Sequence, residues 1–406
     1  MNVTALRGAD QPSLHLLKQI QQHCSEMLPE SLRRLADLVN IDTSPEDIGG
    51  LDRAVQLARQ WWAELGVTGE VMRTDAGQPL LWAERLVSDH APTVLMLLHL
   101  DTVFPSGTAA QRPFQVQQGR ATGPGVADMK GGVVTALMAV QAALAATGGM
   151  QGLNLRVLCT PDEEAGSLRS RTHIERSAEG AALALVFEPG RPGGEIVTGR
   201  RGLRRYRITV HGRPAHTGVE PWSGANAIEE LAHKILAVQQ LDDRERFLSV
   251  TAALVRGGSR INVVPDIASV DVDVRIPDLQ TAQRVSDAMD LLVRDTQVAG
   301  TSAEYDVLGE RPPMTPGPEA LAHAGQLQII ARMLGDEVKA ITTGGGSDGA
   351  FVSRLGIPTV DGLGPVGGGY HTPQEFLTVD TVGSRAAMTA GYLAMCSIRQ
   401  LAAHHD

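Results

Sequence analysis

The 406-residue chain has few cysteines, few aromatic residues and no excess of positive charge. Its three cysteines, Cys24, Cys159 and Cys396, lie far apart in sequence, without the close pairing of a thiolate metal site or a redox motif. We expect all three to be reduced and buried as small hydrophobic residues. The formal net charge of −10 argues against a nucleic-acid-binding surface.

Long apolar runs are also lacking. No run approaches the ~18 to 20 residues needed to cross a bilayer, because Gly, His or a charged residue interrupts even the longest. The opening segment MNVTALRGADQPSLHLL carries polar residues throughout and has no apolar core followed by a small-residue cleavage site. We therefore expect a cytoplasmic protein that does not bind a membrane.

What the chain does contain is an alternation of helix and strand patterns. Helical stretches near PESLRRLADLVNI and LDRAVQLARQWWAELG precede PTVLMLLHLD, a continuous apolar run typical of a buried strand. A Gly-flanked helix, GGVVTALMAVQAALAATGG, and the strands LNLRVLCTP and ALALVFEP follow. Together these patterns predict an α/β layer built on a mainly parallel sheet.

The pattern changes at about Gly202. From there the order is β-α-β-β-α-β, which is the ferredoxin-like arrangement, and helix and strand patterns resume after the Pro-rich segment GERPPMTPGPEA. We therefore predict a discontinuous α/β domain of residues 1–201 and 311–406, with a mixed sheet flanked by helices. A ferredoxin-like α+β domain of residues 202–310 is inserted into it.

Acidic and histidine residues stand at the predicted strand ends and Gly-rich loops of the larger domain, where open α/β sheets bind ligands. In chain order they are His99 and Asp101 in HLDTVFP, Asp128 in GPGVADMKGG, Glu163 and Glu164 in PDEEAGS, Glu188 in FEPG and His371 in GPVGGGYHTPQEF. Any one of them has an ordinary structural explanation. Their joint occurrence favours a metal site, because buried carboxylates are costly to keep charged without cations.

The residue types indicate how such a site would work. A carboxylate at Asp128 can bridge two cations, and adjacent Glu163 and Glu164 diverge, so that one can bind metal while the other handles protons. Asp101 is placed to orient the imidazole of His99. Mixed nitrogen and oxygen donors suit zinc, with cobalt or manganese as alternatives.

The ordered set HLDTV, DMKGG, PDEE, FEP, GRPAHTG and YHTPQE resembles the zinc metallopeptidases that include glutamate carboxypeptidase, aminoacylase, acetylornithine deacetylase and succinyl-diaminopimelate desuccinylase. The resemblance spans nearly the whole chain, and it makes the inserted domain a lid and dimerisation domain. It implies two Zn²⁺ per subunit, a homodimer and a cis peptide after Asp128. The resemblance implies that Asp128 bridges both metal ions. His99 and Glu188 would complete one metal site, and Glu164 and His371 the other. Asp101 would orient His99, and Glu163 would be the general base.

By the same resemblance, three residues of the inserted domain match positions that contact substrate: His216, Asn262 and Arg275. Without the resemblance, each would be interpreted as an ordinary turn or surface residue. Arg275 is the preferred carboxylate-binding residue, because a guanidinium can hold a carboxylate with two parallel bonds. The glycine run around Gly345 offers backbone N–H groups to the same carboxylate, with a flexible turn as an equal alternative. The basic cluster of Arg200, Arg201, Arg204 and Arg205 is interpreted as a solvated hinge face, with recruitment of an acidic substrate as the alternative.

We therefore predict a di-zinc hydrolase that cleaves the amide bond beside a free carboxylate, as glutamate carboxypeptidase-like enzymes do. Glu at position 188 favours the carboxypeptidase and deacylase members of the resembled family over its aminopeptidases. An N-acyl-amino-acid deacylase acting on the same bond type stays open as an alternative, and a metal-free binding or scaffold protein is a remote one. A serine hydrolase is disfavoured, since no G-x-S-x-G elbow is present.

Overall fold

The computed structural model describes residues 12–403, and the chain folds into two compact units. The main unit comprises the chain up to Thr198, then Pro316–Thr342, and the chain from Ser347 onward. The inserted unit comprises Gly199–Thr315 and Thr343–Gly346. The polar opening segment used to predict a cytoplasmic protein lies mostly outside the described residues.

The described residues contain ten α-helices and sixteen strands. The helices are α1 (Leu14–Val39), α2 (Ile48–Glu64), α3 (Thr108–Gln111), α4 (Gly131–Thr147), α5 (Arg171–Ser177), α6 (Ala227–Gln239), α7 (Leu279–Arg294), α8 (Pro318–Met333), α9 (Gly349–Arg354) and α10 (Asp380–Ala403). The strands are β1 (Thr68–Arg73), β2 (Pro79–Arg85), β3 (Thr93–His99), β4 (Gln115–Gln117), β5 (Arg120–Thr122), β6 (Asn154–Thr160), β7 (Ala181–Val186), β8 (Ile196–Arg200), β9 (Gly202–His211), β10 (Ser249–Gly257), β11 (Ile267–Ile276), β12 (Ser302–Arg311), β13 (Ala340–Thr343), β14 (Thr359–Val360), β15 (Gly367–Gly368) and β16 (Phe376–Thr378).

A six-stranded sheet of order β1-β2-β6-β3-β7-β14 organises the main unit. Strand β3 pairs in parallel with both β6 and β7, whereas β2 pairs antiparallel with β1 and β6. Along β3, Val94 and Met96 belong to the core cluster of α1, α4 and α10, and Leu95 and Leu97 belong to the opposite cluster, with α5 and α9. Because successive strand residues point to opposite faces, helices cover both faces, which confirms the predicted mixed sheet flanked by helices.

Strand β3 and helix α4 fall where the apolar patterns predict them, but α1 is longer than predicted. It begins at Leu14 and runs through Pro29, the first residue of the stretch PESLRRLADLVNI near which the helix is predicted. Leu17, Ile20 and Cys24 lie at helical spacing upstream of Pro29 and are all buried. The burial of this apolar face outweighs the backbone hydrogen bond lost at proline. All three cysteines are free and buried, as predicted.

One helical segment, Val126–Thr147, is long and apolar enough to cross a membrane by length and composition, which corrects the expectation that no run in the chain approaches that length. In the structure 78% of its most apolar window is buried inside the protein. The segment packs as the core helix of the main unit, and α4 makes its main helix contacts with α1 and α10. The apolar composition of this segment is therefore explained by its burial inside the protein.

The inserted unit contains an antiparallel sheet of order β10-β11-β9-β12. Helix α6 connects β9 to β10, and α7 connects β11 to β12, which gives the β-α-β-β-α-β order of a ferredoxin-like fold, as predicted. Its core includes Tyr206, Val250, Val272 and Met289. Along β11, buried valines alternate with charged residues, so one sheet face packs on the helices and the other carries charge.

Candidate metal centre

Three neighbouring parallel strands of the main unit bring the candidate residues to one edge of the sheet. His99 is the last residue of β3, Glu163 and Glu164 follow β6, and Glu188 follows β7. The register pairs His99 with Thr160, the last residue of β6. The carboxyl ends of these strands therefore meet at the same sheet edge, which is the place where open α/β sheets bind ligands.

A first group consists of His99, Asp128 and Glu188. The Nε2 atom of His99 lies 3.3 Å from Asp128 Oδ1 and 3.8 Å from Glu188 Oε1. The Nδ1 atom lies 3.1 Å from the backbone oxygen of Asp101 and 3.4 Å from its Oδ1. Because an Nδ1–H group donates to these oxygens, Nε2 is the ring atom available to a cation.

A second group consists of Asp128, Glu164 and His371. The Nε2 atom of His371 lies 3.4 Å from Asp128 Oδ2 and 3.1 Å from Glu164 Oε2. Asp128 thus faces His99 with one carboxylate oxygen and His371 with the other, the arrangement a bridging carboxylate requires. His371 has a φ of +61°, a left-handed conformation that is uncommon for residues other than glycine and is concentrated at functional sites.

Asp101 connects the first group to the glutamate pair. It is fully buried, and its Oδ1 and Oδ2 atoms accept hydrogen bonds from the backbone N–H groups of Glu163 (3.1 Å) and Glu164 (2.9 Å). The same carboxylate therefore orients the imidazole of His99 and fixes the backbone of both glutamates. The Glu163 side chain is buried, whereas Glu164 faces His371 in the second group.

The loop that carries Asp128 is held by a buried carboxylate that the sequence analysis did not single out. Glu375 accepts hydrogen bonds from the backbone N–H groups of Gly125 (3.0 Å), Ala127 (2.9 Å) and Asp128 (3.0 Å). The peptide bond that follows Asp128 is cis. Lys130, also buried, donates to the backbone oxygen of Ile41 at 2.9 Å. Both residues belong to motifs quoted above, DMKGG and YHTPQE, and that membership is the sequence feature that could have identified them.

The electrostatics of the cluster favour positive charge. Burial alone would lower the pKa of His99, but its hydrogen bonds with Asp101 and Asp128 hold that pKa well above the ordinary value. Hydrogen bonds with Asp128 and Glu164 raise the pKa of His371 to about 10. The pKa of Asp128 is held below its usual range, because the two histidines outweigh its burial. Carboxylates that favour the charged form of both imidazoles in this way also favour a bound cation.

The donor set fits divalent cations. Within each group the donor atoms lie within 4.8 Å of one another, and each group offers one imidazole nitrogen and two carboxylates. Burial, with the charges of Asp128 and Glu163, raises the pKa of Glu164 to about 7 against the hydrogen bond from His371. Such a carboxylate is stabilised in its charged form by a bound cation, and mixed N and O donors suit zinc, cobalt or manganese.

The inserted unit carries the other predicted site residues. His216 and Asn262 are exposed and lie on neighbouring loops, because Thr217 N–H donates to the Asn262 backbone oxygen at 3.2 Å. Gly218 N–H donates to Nδ1 of His216 at 3.1 Å. A neutral His216 therefore carries its proton on Nε2.

Arg275 and Gly345 also lie in the inserted unit. Nε of Arg275 donates to Asp273 Oδ1 at 2.7 Å, so its guanidinium already has one carboxylate partner. The backbone oxygens of Gly345 and Gly346 accept hydrogen bonds from Arg200 at 3.1 and 2.8 Å. Arg200 is 2% exposed, so the interpretation of this arginine as part of a solvated hinge face is wrong. It is a buried support for the glycine run.

Comparison with known proteins agrees with the geometry. Residues 95–395 match the family described as Peptidase family M20/M25/M40. The chain is 28% identical to carboxypeptidase G2 of Pseudomonas sp. (strain RS-16), over 91% of this chain and 90% of that protein. It is 32% identical to the succinyl-diaminopimelate desuccinylase of Acidovorax ebreus (strain TPSY), over 82% and 89% of the two chains.

A solved structure of similar fold is the YXEP protein of Bacillus subtilis, described as a dinuclear metal-binding peptidase of the M20 family. It has a TM-score of 0.66 at 18% identity, over 92% of this chain and 99% of that one. The M20 family is metal-dependent, and this chain places two metal-capable groups around Asp128. The chain belongs to the peptidase family M20/M25/M40 and is a hydrolase that acts on amide bonds.

Proposed function

We propose that this hydrolase is a di-zinc carboxypeptidase that cleaves the amide bond next to a free carboxylate. The observation that carries the proposal is the position of Asp128, whose two carboxylate oxygens face two separate imidazoles. The similarity to carboxypeptidase G2 over 91% of this chain supports the carboxypeptidase assignment. We propose zinc as the native metal, with cobalt or manganese as substitutes, because each group combines imidazole and carboxylate donors.

In this proposal His99, Glu188 and Asp128 would hold one cation, and Glu164, His371 and Asp128 would hold the other. Cations bound there would supply Lewis-acid activation of water and of the scissile carbonyl. Glu163 is the general base, which takes a proton from the attacking water and delivers it to the leaving amine. Its backbone is fixed by the Asp101 carboxylate, which also fixes the backbone of the ligand Glu164, so one buried acid positions both the base and the ligand.

The inserted unit, acting as a lid, recognises the substrate in this account. His216 donates a hydrogen bond from its Nε2–H group to the developing oxyanion, a role that the hydrogen bond from Gly218 to Nδ1 supports. Arg275 binds the free carboxylate of the substrate through its two-pronged guanidinium. Asn262 and the backbone N–H of Gly345 supply further hydrogen bonds to the substrate, and both residues are exposed.

The alternative is an N-acyl-amino-acid deacylase, which the 32% identity to a desuccinylase supports. Both activities release a free amino acid from the amine side of the scissile bond, so they differ only in the group on the acyl side. A panel of dipeptides and N-acyl amino acids, matched in the released residue, separates them. We expect the higher kcat/KM for peptides that release a C-terminal acidic or apolar residue. A preference of tenfold or more for simple acyl groups, about 1.4 kcal/mol in transition-state binding, would favour the deacylase instead.

We further propose that the enzyme is a cytoplasmic homodimer joined through the inserted unit. Strand β10 is an edge strand whose Leu254 and Val255 are more than half exposed, and α6 beside it exposes Leu236 at 66%. Unpaired edges with exposed apolar residues favour pairing with a second copy. If His216 acts on the partner's site, mixed dimers of His216→Ala and Glu163→Ala chains recover activity that neither homodimer has. Inactive mixed dimers would place His216 in its own chain's site or outside the chemistry.

A further inference from the structure

We propose that Glu375 is a positioning residue that fixes the bridging carboxylate Asp128 relative to His371, and so sets the affinity of the second cation position. This inference rests on the proposed metal centre. It assigns to Glu375 a specific effect, on the group of Asp128, Glu164 and His371 rather than on both groups equally.

The contacts of Glu375 show a carboxylate built for three donors. It is 1% exposed, and its Oε1 accepts the N–H groups of Ala127 and Asp128 while Oε2 accepts that of Gly125. All three donors belong to the short loop that ends at Asp128. A carboxylate has enough lone pairs on two oxygens for this arrangement, whereas a glutamine must turn an N–H group toward one of the donors. Glutamine at this position therefore leaves a buried donor without an acceptor.

Glu375 also belongs to the loop that carries His371, which lies four residues before Glu375 in the sequence. This loop turns tightly: Thr372 N–H donates to the backbone oxygen of Gly369 at 3.1 Å, and Glu375 N–H donates to that of Thr372 at 3.2 Å. Gly369 has a φ of +68°, and a Cβ there would lie 2.5 Å from the oxygen of Gln374. The tight turn transmits the anchoring at Glu375 to His371, so one side chain connects the two ligand loops.

The two histidines differ in how firmly they are held. His99 ends a central strand, is 1% exposed and is oriented by Asp101. His371 is 52% exposed, lies in a loop and has a left-handed backbone conformation. Loss of the anchoring at Glu375 should therefore displace His371 and the Oδ2 side of Asp128 more than it displaces the site of His99 and Glu188.

Glu230 of the inserted unit provides a matched control. It is fully buried, it accepts the backbone N–H groups of Gln297 and Val298, both at 2.7 Å, and its side chain lies 2.9 Å from the Nζ of Lys234. A Glu230→Gln variant suffers the same chemical change at a buried carboxylate that holds a loop. That loop carries none of the proposed ligands, so its loss should affect stability without affecting metal affinity.

The experiment is a zinc titration of metal-free wild type, Glu375→Gln and Glu230→Gln, with a competing chelator reporting each binding step. We expect two steps in wild type and in Glu230→Gln at equal affinities. In Glu375→Gln the weaker step should lose about 10 to 100-fold in affinity, with the tighter step unchanged. Cobalt-loaded Glu375→Gln should also show an altered visible absorption band of the second bound ion, which a purely structural role would not produce.

The outcomes separate this inference from the proposed function. A wild type that binds fewer than two ions contradicts the di-metal proposal itself. A wild type with two steps and an unchanged Glu375→Gln variant overturns the positioning role, as does an equal loss in both steps or an equal loss in Glu230→Gln. If Glu375→Gln does not fold, Glu375→Asp, which keeps the charge and shortens the reach, is titrated in its place under the same criteria.

Discussion

Carboxylates in the two units have different partners. In the inserted unit, Asp271 is held by Arg207 at 2.6 Å and by Arg256 at 3.1 Å. The hydrogen bond from Arg207 lowers the pKa of Asp271 to about 2. In the main unit, Asp128 and Glu164 face imidazoles, and burial raises the pKa of Glu164 to about 7.

The difference shows how a structural carboxylate can be told from a metal-binding one. A fixed guanidinium neutralises Asp271 permanently, so the acid contributes to the sheet and has no need of a ligand. Carboxylates that converge on histidines keep a demand for positive charge, which an exchangeable cation can meet. The positions of these acids in the fold support the distinction. The structural carboxylate lies along a strand face, whereas the proposed metal-binding carboxylates lie at strand ends and in loops.

The largest effect that sharpens this comparison concerns Glu163, a buried acid of the main unit that we place outside the ligand set. Glu163→Gln should lower kcat by about 10²-fold or more and leave the metal content intact, because a general base is lost and no ligand is removed. Metal analysis of the purified variant, beside its kinetics, checks this. Loss of a metal ion in Glu163→Gln would make Glu163 a ligand and shift the role of base elsewhere.

Arg275 is the residue at which the comparison could break, because it has a carboxylate partner yet is proposed to bind substrate. Arg275→Ala should weaken transition-state binding of a carboxylate substrate by about 2 to 5 kcal/mol and affect the amide analogue little. Arg207→Ala, on the same sheet face and paired with Asp271, is the matched control and should change kcat/KM for neither substrate. Equal losses on both substrates would limit Arg275 to a structural role beside Asp273.

The smallest expected effect is that of Asp271→Asn, which tests the structural side of the comparison. This substitution should leave kcat/KM unchanged and reduce the free energy of unfolding by no more than about 1 kcal/mol near neutral pH. Because the folded pKa of Asp271 lies below the ordinary 3.8, its contribution is present above about pH 4 and is lost as pH falls toward 2. Denaturant unfolding of wild type and variant at pH 7 and pH 3 measures both values. A difference that grows at pH 3 would contradict the assignment.

Much of the fold could be predicted from sequence because its patterns are local. The apolar run of β3 and the alternation of valine with charge in β11 specify a buried strand and a half-buried one. The predicted stretch near PESLRRLADLVNI covers only the later part of α1, and the packing of Leu17 and Ile20 on the core shows that the helix begins upstream of Pro29.

The site residues also divide into those that local sequence patterns predict and those that depend on distant contacts. Residues at strand ends, such as His99 and Glu188, could be predicted because the strands that carry them are recognisable and their edge binds ligands. Membership of the motif YHTPQE could have drawn attention to Glu375, but its role could not be predicted, because that role depends on three backbone N–H groups some 250 positions away in sequence. Arg200 was misinterpreted for a related reason, since the carbonyl groups that it binds, at Gly345 and Gly346, are supplied by a distant segment.

The central claim is that Asp128 is shared by two cation positions, and metal stoichiometry tests it most directly. Elemental analysis and zinc titration of wild type, His99→Ala, His371→Ala and Asp128→Asn should be done on the same preparations. The account predicts two zinc ions per wild-type chain, one tightly bound ion in each histidine variant, and weakened binding at both positions in Asp128→Asn. One ion in wild type, or two tightly bound ions in Asp128→Asn, would contradict it.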